Sequence, residues 1–155
     1  MERIALFPGS FDPFTKGHLD IVMRSISLFD RVIIGIGQNT SKTRYFPLEF
    51  MEEKIRGVFK EYPQVSIESY QGFTADFAKK RNAKFIIRGL RNTTDFEYEC
   101  GIAQANKFLW DELETIFLIT SPELAAVSSS IIRDLHRYGA KADHFLPYEL
   151  NYPTK

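Results

Sequence analysis

The sequence has almost no cysteine, no excess of charge of either sign and no long apolar run. Cys100 is the one cysteine among 155 residues, so an internal disulfide and a thiolate metal site are both excluded. A lone cysteine is typical of a reducing compartment. The first residues lack the apolar core of a signal peptide, and no run approaches the ~20 apolar residues that span a membrane. We therefore expect a cytoplasmic protein with no membrane partner.

The charges balance, with 20 Lys and Arg against 20 Asp and Glu. A nucleic-acid-binding protein usually has a basic excess, because neutralising phosphates supplies much of its affinity. We therefore expect no nucleic-acid partner, and any site for an anion has to be local. Strongly salt-dependent retention on DNA would contradict this expectation.

The length of 155 residues is typical of one domain. No linker, internal repeat or low-complexity tract divides the chain. Residues 1–155 are therefore expected to form a single domain. An apolar fraction of 44% and a charged fraction of 26% are ordinary for a globular protein.

Short apolar runs alternate with amphipathic helical stripes along the chain. The β-branched run 31–37, for example, is typical of a strand covered on both faces. This order predicts an α/β fold, a Rossmann-like, doubly wound, parallel five-stranded sheet with helices on both faces. The predicted strands are 3–7, 31–37, 65–70, 84–88 and 114–119. Helices are predicted around Leu19 to Phe29, from Pro47 at a first helical position through Val58, over 74–81, 95–110 and 128–137, and as one short terminal turn from His144.

The first chemically suggestive loop, residues 8–18, joins strand one to helix one. Its glycines let a phosphate approach the backbone, and the start of a helix offers free N–H groups to an anion. His18 falls in the first helical turn, where its ring can face that phosphate. The alternative is a polar turn in which Thr15 caps the helix and His18 is exposed. A Gly-His pair that opens a helix after strand one favours the functional interpretation.

Two further strand-end loops carry cations. Lys42 and Arg44 follow strand two and are able to clamp a phosphate, although such cations are more often simply solvated. Arg88 closes strand four, and Gly89 is predicted to form a sharp turn that lets Arg88 and Arg91 face one ligand, since arginine forks match phosphate oxygens. An internal ion pair is the alternative, and both arrangements can hold at once. The carboxylates available for it nearby are Asp95, Glu97 and Glu99.

Three serines, Ser128, Ser129 and Ser130, open the predicted last long helix. Ordinary N-capping requires one serine, so three in a row favour a phosphate ligand. His136 and His144 lack the spacing of metal ligands, and we expect surface or packing roles for both. No P-loop, dinucleotide fingerprint or serine nucleophile elbow occurs. All the suggestive loops follow strands, which places them at the sheet edge where α/β proteins bind ligands.

Several of these segments resemble a known family. Thr15-Lys16-Gly17-His18 resembles the [HT]xGH signature of the nucleotidyltransferase α/β-phosphodiesterase superfamily, and residues 127–133 (VSSSIIR) resemble its second signature. Three further segments are similar to phosphopantetheine adenylyltransferases: PGSFDPFTKGHLDI from Pro8, RGLR followed by DFEYE from Arg88, and HFLP from His144. The match extends over essentially the whole chain, and the combined RGLRxxxDFEYE pattern is highly specific.

The resemblance implies a reaction in which ATP and 4′-phosphopantetheine give dephospho-coenzyme A and pyrophosphate, the penultimate step of coenzyme A synthesis. It also implies Mg²⁺ as cofactor, held mainly by phosphates and water rather than by a protein metal site. A cytosolic homohexamer with feedback by coenzyme A is implied as well.

Site roles follow from the resemblance by matching position. His18 corresponds to the catalytic residue that contacts the α-phosphate and stabilises the transition state. Lys42 and Arg88 correspond to the clamp for the acceptor phosphate, and Thr74 to a contact with the pantetheine arm. Ser10, where the family often has threonine, corresponds to a contact with both substrates. His18 also counts among the implied ATP contacts, together with Phe11, Gly89, Leu90, Arg91, Glu99 and the segment of Leu124, Ala125, Ala126, Val127, Ser128, Ser129 and Ser130.

Two other functions fit parts of the pattern. One is a relative with a different acceptor, such as nicotinamide mononucleotide, or glycerol 3-phosphate with CTP, against which the RGLR and DFEYE segments argue. The other is a regulatory module that binds a nucleotide without turnover. The presence of His18 beside both groups of cations argues against that module.

Overall fold

The structure is a computed structural model that describes residues 1–154. Five parallel strands form one sheet in the order β3-β2-β1-β4-β5. Their bounds are β1 Ile4–Gly9, β2 Arg31–Gly37, β3 Val65–Tyr70, β4 Phe85–Leu90 and β5 Glu114–Ile119. The order reverses between β1 and β4, and such a switch point is where doubly wound sheets bind ligands beyond the carboxyl ends of their strands.

Helices connect successive strands and cover the sheet. The α-helices are α1 Lys16–Ser25, α2 Leu48–Val58, α3 Thr74–Lys80, α4 Thr93–Leu109 and α5 Ser129–Arg137. Two short 3₁₀ turns span Pro122–Leu124 and Asp143–Phe145. None of the helices in the described part of the chain is both long and apolar enough to cross a membrane.

The central strands β1 and β2 are buried on both faces, as the β-branched run 31–37 predicts, whereas the edge strand β5 is only partly buried. Alternate residues of β1 point to opposite sides, so Ala5 and Phe7 lie in one apolar cluster and Ile4 and Leu6 in another. The first cluster also contains core residues of α1, α2 and α5, and the second those of α3. The predicted doubly wound sheet with helices on both faces is confirmed.

The prediction that Gly89 forms a sharp turn is wrong. β4 continues through Gly89 to Leu90, which pairs with Ile119 of β5. Gly89 lacks a side chain for a different reason: a Cβ at this position would lie 3.1 Å from the Ile21 side chain. The glycine therefore allows α1 to approach the sheet closely, and Arg88 and Arg91 come together because the strand ends between them.

Several element ends also differ from the predictions. α1 ends at Ser25, although Phe29 beyond it is still buried in the core. Pro47 precedes the first helical residue of α2 rather than occupying the first helical position, and it makes no side-chain capping hydrogen bond. α4 begins earlier than predicted because the Asn92 side chain accepts a hydrogen bond from the Asp95 amide at 2.9 Å. The turn Pro122–Leu124 was not predicted, since a three-residue turn has no periodicity.

Candidate active site

Two adjoining cavities open at the switch point between β1 and β4. The first has a volume of about 320 Å³ and the second a volume of about 620 Å³. They share a wall of five residues, Pro8, Gly9, Ser10, Arg88 and Glu99. A molecule in one cavity can therefore meet a molecule in the other at Ser10 and Arg88.

Five segments bring the predicted residues into the first cavity. They are the β1–α1 loop, the first turn of α1, the end of β4 with the first turns of α4, the connection from β5 to α5, and the start of α5. The predicted site residues on its wall are Ser10, Phe11, His18, Arg88, Gly89, Arg91, Glu99, Leu124, Val127, Ser128, Ser129 and Ser130. Residues more than 100 positions apart in the chain thus line one space.

The second cavity lies on the other side of Arg88. Its wall contains the predicted contact Thr74, whose hydroxyl is 2.9 Å from the Tyr70 hydroxyl. Residues that were not predicted as ligand contacts complete the wall, among them Gln38, Asn39, Thr40, Tyr98, Ile102 and Asn106. They come from the β2–α2 loop and one face of α4. Tyr98 lies within the DFEYE segment, whereas no motif or spacing distinguishes the others in the sequence.

Four predicted residues lie outside both cavity walls. Leu90 is buried in the core, Ala125 is partly exposed and Ala126 is exposed, and the two alanines stand between Leu124 and Val127 of the first cavity wall. Lys42 is exposed in the same loop as Asn39 and Thr40, which line the second cavity. The predicted roles of these four residues in ligand binding stay predictions.

His18 is oriented by the helix cap. The Thr15 hydroxyl accepts a hydrogen bond from the His18 amide, and the Thr15 amide donates to His18 Nδ1 at 3.0 Å. Thr15 caps α1, as the alternative interpretation held, but His18 is not exposed, since its ring lines the first cavity. Since Nδ1 is an acceptor, the proton of the neutral ring resides on Nε2.

Three phenylalanines pack around the imidazole. Its ring centroid lies 5.0 Å from that of Phe11 in an edge-on arrangement, 5.3 Å from Phe14 and 6.1 Å from Phe7. Burial, and then the charges of Arg88 and Arg91, lower the pKa of His18 from 6.5 to about 3. His18 is therefore a neutral, preoriented hydrogen-bond donor at neutral pH.

The depressed pKa of His18 predicts a loss of stability in mild acid. Between pH 6.5 and about 3, the unfolded chain binds a proton at His18 that the folded protein does not bind. The free energy of unfolding therefore falls as the pH is lowered through this window. Between pH 7.5 and 5, urea unfolding should show an extra loss of about 1–2 kcal/mol for the wild type relative to His18→Gln. Parallel losses in the two proteins would show that His18 titrates normally.

Each arginine of the site is paired with a carboxylate, as the alternative interpretation held. Arg88 donates through Nε to Glu99 at 2.8 Å and through Nη2 at 2.5 Å, and its Nη1 donates to the carbonyl of Pro8. The fork has further N–H groups on Nη1 and Nη2, which these contacts do not use. Arg88 can therefore hold its ion pair and still bind an anion in the shared wall.

The second pair fixes the start of α4. Arg91 donates to Asp95 through its backbone amide at 2.9 Å and through Nε at 3.0 Å. The hydrogen bond from the Arg91 side chain is the main cause that lowers the pKa of Asp95. The charge of Arg91 is thus held at the first cavity by a carboxylate that stays ionised.

The three serines at the start of α5 have separate contacts. Ser128 caps the helix, since its hydroxyl accepts from the Ile131 amide at 3.2 Å. Ser129 donates to the carbonyl of Pro13 at 2.8 Å, and Ser130 accepts from Arg133 at 3.1 Å. Arg133 also donates to the carbonyl of Asp12, so the contacts of Ser129 and Arg133 join α5 to the β1–α1 loop. The start of α5, Ser128 to Ser130, lies on the wall of the first cavity.

The two cavities contain few free protein ligands for a divalent cation. Their carboxylates, Asp95 and Glu99, are already paired with Arg91 and Arg88. Within residues 1–154, no group of three or more His, Cys, Asp or Glu side chains is arranged to hold a metal ion. This donor set fits a cation that is brought and held by phosphate oxygens and water.

Comparison with known proteins places the chain in one family. Residues 6–135 match the family described as Cytidylyltransferase-like. The chain is 58% identical over 150 residues to the phosphopantetheine adenylyltransferase of Cytophaga hutchinsonii, covering 97% of this chain and 100% of that protein. The phosphopantetheine adenylyltransferase of Bacteroides thetaiotaomicron is 48% identical to this chain over 145 residues, and the match covers 94% of this chain and 95% of that protein.

Solved structures support the fold. The bifunctional NMN adenylyltransferase/ADP ribose pyrophosphatase from Francisella tularensis superposes with a TM-score of 0.71 at 18% identity, covering 94% of this chain and 45% of that one. The complex of that enzyme with AMP and a manganese ion gives a TM-score of 0.69 at 19% identity. This chain spans less than half of that protein, and the likeness concerns the fold alone. On the family match and the full-length relatives, the chain belongs to the phosphopantetheine adenylyltransferase family within the cytidylyltransferase-like nucleotidyltransferases.

Proposed function

We propose that this protein transfers the AMP part of ATP to 4′-phosphopantetheine, releasing pyrophosphate and forming dephospho-coenzyme A, the penultimate step of coenzyme A biosynthesis. The observation that carries this proposal is the pair of adjoining cavities that meet at Ser10 and Arg88. Two substrates that react with each other need such a shared wall. Family membership supplies the identity of the two substrates.

The nucleophile in this reaction is an oxygen of the acceptor phosphate, which is ionised near neutral pH. It needs neither a general base nor a covalent intermediate, so the protein has to hold two polyanions in line and offset their repulsion. The first cavity supplies Arg91 and the start of α5 for the triphosphate, whose leaving part is pyrophosphate. The remaining N–H groups of Arg88 suit the acceptor phosphate at the shared wall.

His18 supplies the contact that matters in the transition state. Its Nε2–H donates to oxygens of the α-phosphate, where charge shifts as the new bond forms. Lys42, in the exposed segment 39–43, is proposed as a second cation for the acceptor phosphate. The larger second cavity, with Thr74 and Ile102 on its wall, suits the long pantetheine arm.

Mg²⁺ is proposed as the cofactor. Bound to the triphosphate, it neutralises phosphate charge and orients the phosphate oxygens. Arg91, His18 and the amides at the start of α5 would hold the phosphate oxygens that carry it, since the carboxylates of the cavity are paired.

Pyrophosphate release with ATP and Mg²⁺ tests the proposed reaction. 4′-Phosphopantetheine, nicotinamide mononucleotide and glycerol 3-phosphate are added in parallel to equal amounts of enzyme. Release with 4′-phosphopantetheine alone is expected. Release only with another acceptor would preserve the proposed chemistry of His18 and contradict the proposal that 4′-phosphopantetheine is the acceptor. Release with none of the three would favour a module that binds a nucleotide without turnover.

Coenzyme A is proposed as a feedback ligand of the same site. It carries the adenylate and pantetheine parts of the product, so it can occupy both cavities across the wall of Ser10 and Arg88. Added to the assay, it should raise the apparent KM for 4′-phosphopantetheine. Inhibition that is insensitive to the acceptor concentration would place its site elsewhere.

A homohexamer is also proposed, and the number of six subunits comes from the family resemblance alone. α4 and the edge strand β5 expose large apolar side chains: Tyr98, Ile102, Phe108, Leu109 and Ile119. Phe108 is 90% exposed. An apolar face of this kind is typical of a contact between subunits.

Phe108→Glu should lower the mass seen by sedimentation velocity, because a charge is costly in an apolar interface. Leu28→Glu is the matched control, since Leu28 is an exposed apolar residue outside α4 and β5. The control should assemble like the wild type. Sedimentation of the wild type as a monomer at micromolar concentration would contradict the proposal that the protein forms a homohexamer.

The single domain is proposed to span residues 1–155. The family match ends at residue 135, but the chain beyond it packs onto the same core, where Leu146 and Leu150 are buried. Tyr148 also donates to the carbonyl of Phe14 at 2.6 Å. A cytoplasmic location is proposed because the reaction consumes ATP and Cys100 is a free thiol.

A further inference from the structure

Arg44 contacts the β1–α1 loop across the sheet edge rather than facing solvent or a phosphate site. Its Nη1 donates to the carbonyl of Ser10 at 2.7 Å and its Nη2 to the carbonyl of Phe11 at 3.2 Å. Nε donates to the carbonyl of Phe46 at 3.2 Å, within its own loop. Every nitrogen of the guanidinium is thus engaged by backbone oxygens.

The backbone that Arg44 contacts is strained. Phe11 has φ 45°, in the left-handed region that a bulky side chain rarely adopts. Such a conformation persists only where the surroundings hold it in place. The ring of Phe11 lies over Gly9, where an added Cβ would come within 2.9 Å of it.

The held ring in turn contacts the imidazole of His18. The two ring centroids are 5.0 Å apart and the planes are 89° to each other. A continuous path therefore leads from Arg44 through the backbone of Phe11 to the side chain proposed to contact the α-phosphate.

A second set of contacts joins the same two loops. In this set a side chain of the β1–α1 loop accepts from backbone amides of the 38–46 loop. The Asp12 carboxylate accepts from the amides of Tyr45 at 2.8 Å and Phe46 at 2.9 Å. Asp12 also lies 4.0 Å from Arg44, and both side chains are largely buried. Because these contacts remain without Arg44, a variant of Arg44 should keep the two loops together and fold.

We infer that Arg44 is a positioning residue: it anchors the left-handed backbone of Phe11, whose ring packs edge-on against the imidazole of His18 and holds it in place together with the hydrogen bond from Thr15. The inference rests on the proposed function only where turnover is measured. It also ties the 38–46 loop, which lines the second cavity, to the loop that carries His18. The acceptor side and the nucleotide side of the site are then mechanically linked at Arg44.

Arg44→Met tests the inference, because it keeps the hydrocarbon stem and removes the fork. A misplaced catalytic group lowers kcat by roughly 10- to 100-fold, and we expect a loss in that range with the KM for ATP little changed. Arg44→Lys should not rescue kcat, since one ammonium cannot span the three carbonyls. Arg56→Met is the matched control, because Arg56 donates to the carbonyl of Ile67 at 2.9 Å away from both cavities.

A double-mutant cycle separates positioning from a general effect on the fold. If Arg44 acts through His18, Arg44→Met should lower kcat in the wild type and leave it unchanged in His18→Ala. Equal losses in both backgrounds, or no loss in the wild type, would overturn the inference. Should Arg44→Met fail to fold, Arg44→Lys takes its place in the cycle.

A spectroscopic readout needs no turnover. The chain has three histidines, so the ring Cε1–H resonance of His18 can be assigned by its absence in His18→Ala. Arg44→Met should shift this resonance and leave that of His144 in place. A wild type without activity together with a shifted resonance would reject the proposed function and keep the positioning role, whereas an unshifted resonance would reject the positioning role itself.

Discussion

Replacing His18 by alanine should lower the turnover number by ~10²–10³ and leave the affinity for ATP nearly unchanged, the scale of losing one preorganised donor. The reason lies in the geometry of the helix cap. Nδ1 of His18 accepts from the Thr15 amide, so the proton on Nε2 is available to a ligand in the first cavity. A donor aimed at charge that develops only in the transition state contributes to kcat and little to ground-state binding.

The measurement is pyrophosphate release at saturating substrates, with ATP affinity determined separately by calorimetry. His144→Ala is the matched control, because His144 is exposed and lies outside both cavity walls. His18→Gln, which keeps an amide donor, should retain more activity than His18→Ala. An unchanged turnover number in His18→Ala would remove His18 from the mechanism.

The fold was predictable because its strands are locally distinct. The β-branched run 31–37 and the runs 65–70 and 114–119 have the same bounds in the structure as in the prediction. Gly89 shows where local reasoning fails. A glycine after a buried strand commonly indicates a turn, whereas here it makes room for the Ile21 side chain of α1. That requirement comes from tertiary packing and leaves no local pattern.

The sequence predicts which residues converge where those residues belong to a motif that follows a strand, while their roles in binding and catalysis stay predictions. His18, Arg88, Arg91 and the serines of α5 converge because parallel strands end at one edge of the sheet. The role of Arg44 was not predictable, since its partners Ser10 and Phe11 lie more than 30 positions away. The wall residues from α4 were missed for a related reason, because Ile102 and Asn106 resemble ordinary packing residues in sequence.

Replacing Arg88 by alanine should raise the Kd for 4′-phosphopantetheine by ~10²-fold or more, since hydrogen bonds to charged groups contribute about 1.5–3 kcal/mol each. Binding of ATP should change far less, because Arg91 and the start of α5 remain in the first cavity. A second effect is expected on the fold. Glu99 is buried, and without Arg88 its carboxylate loses both of its ionic hydrogen bonds.

The two effects of Arg88→Ala can be separated by a second change at Glu99. The single variant should lose about 1–3 kcal/mol in the free energy of unfolding, the penalty of leaving a buried charged group unpaired. Arg88→Ala combined with Glu99→Gln should regain part of this stability, because the unpaired group is then neutral. The double variant should bind 4′-phosphopantetheine as weakly as the single variant does. Urea unfolding and calorimetry with each substrate measure the two quantities independently. If ATP binding collapses and acceptor binding survives, Arg88 serves the triphosphate, and the assignment of the two phosphates to the two cavities is reversed.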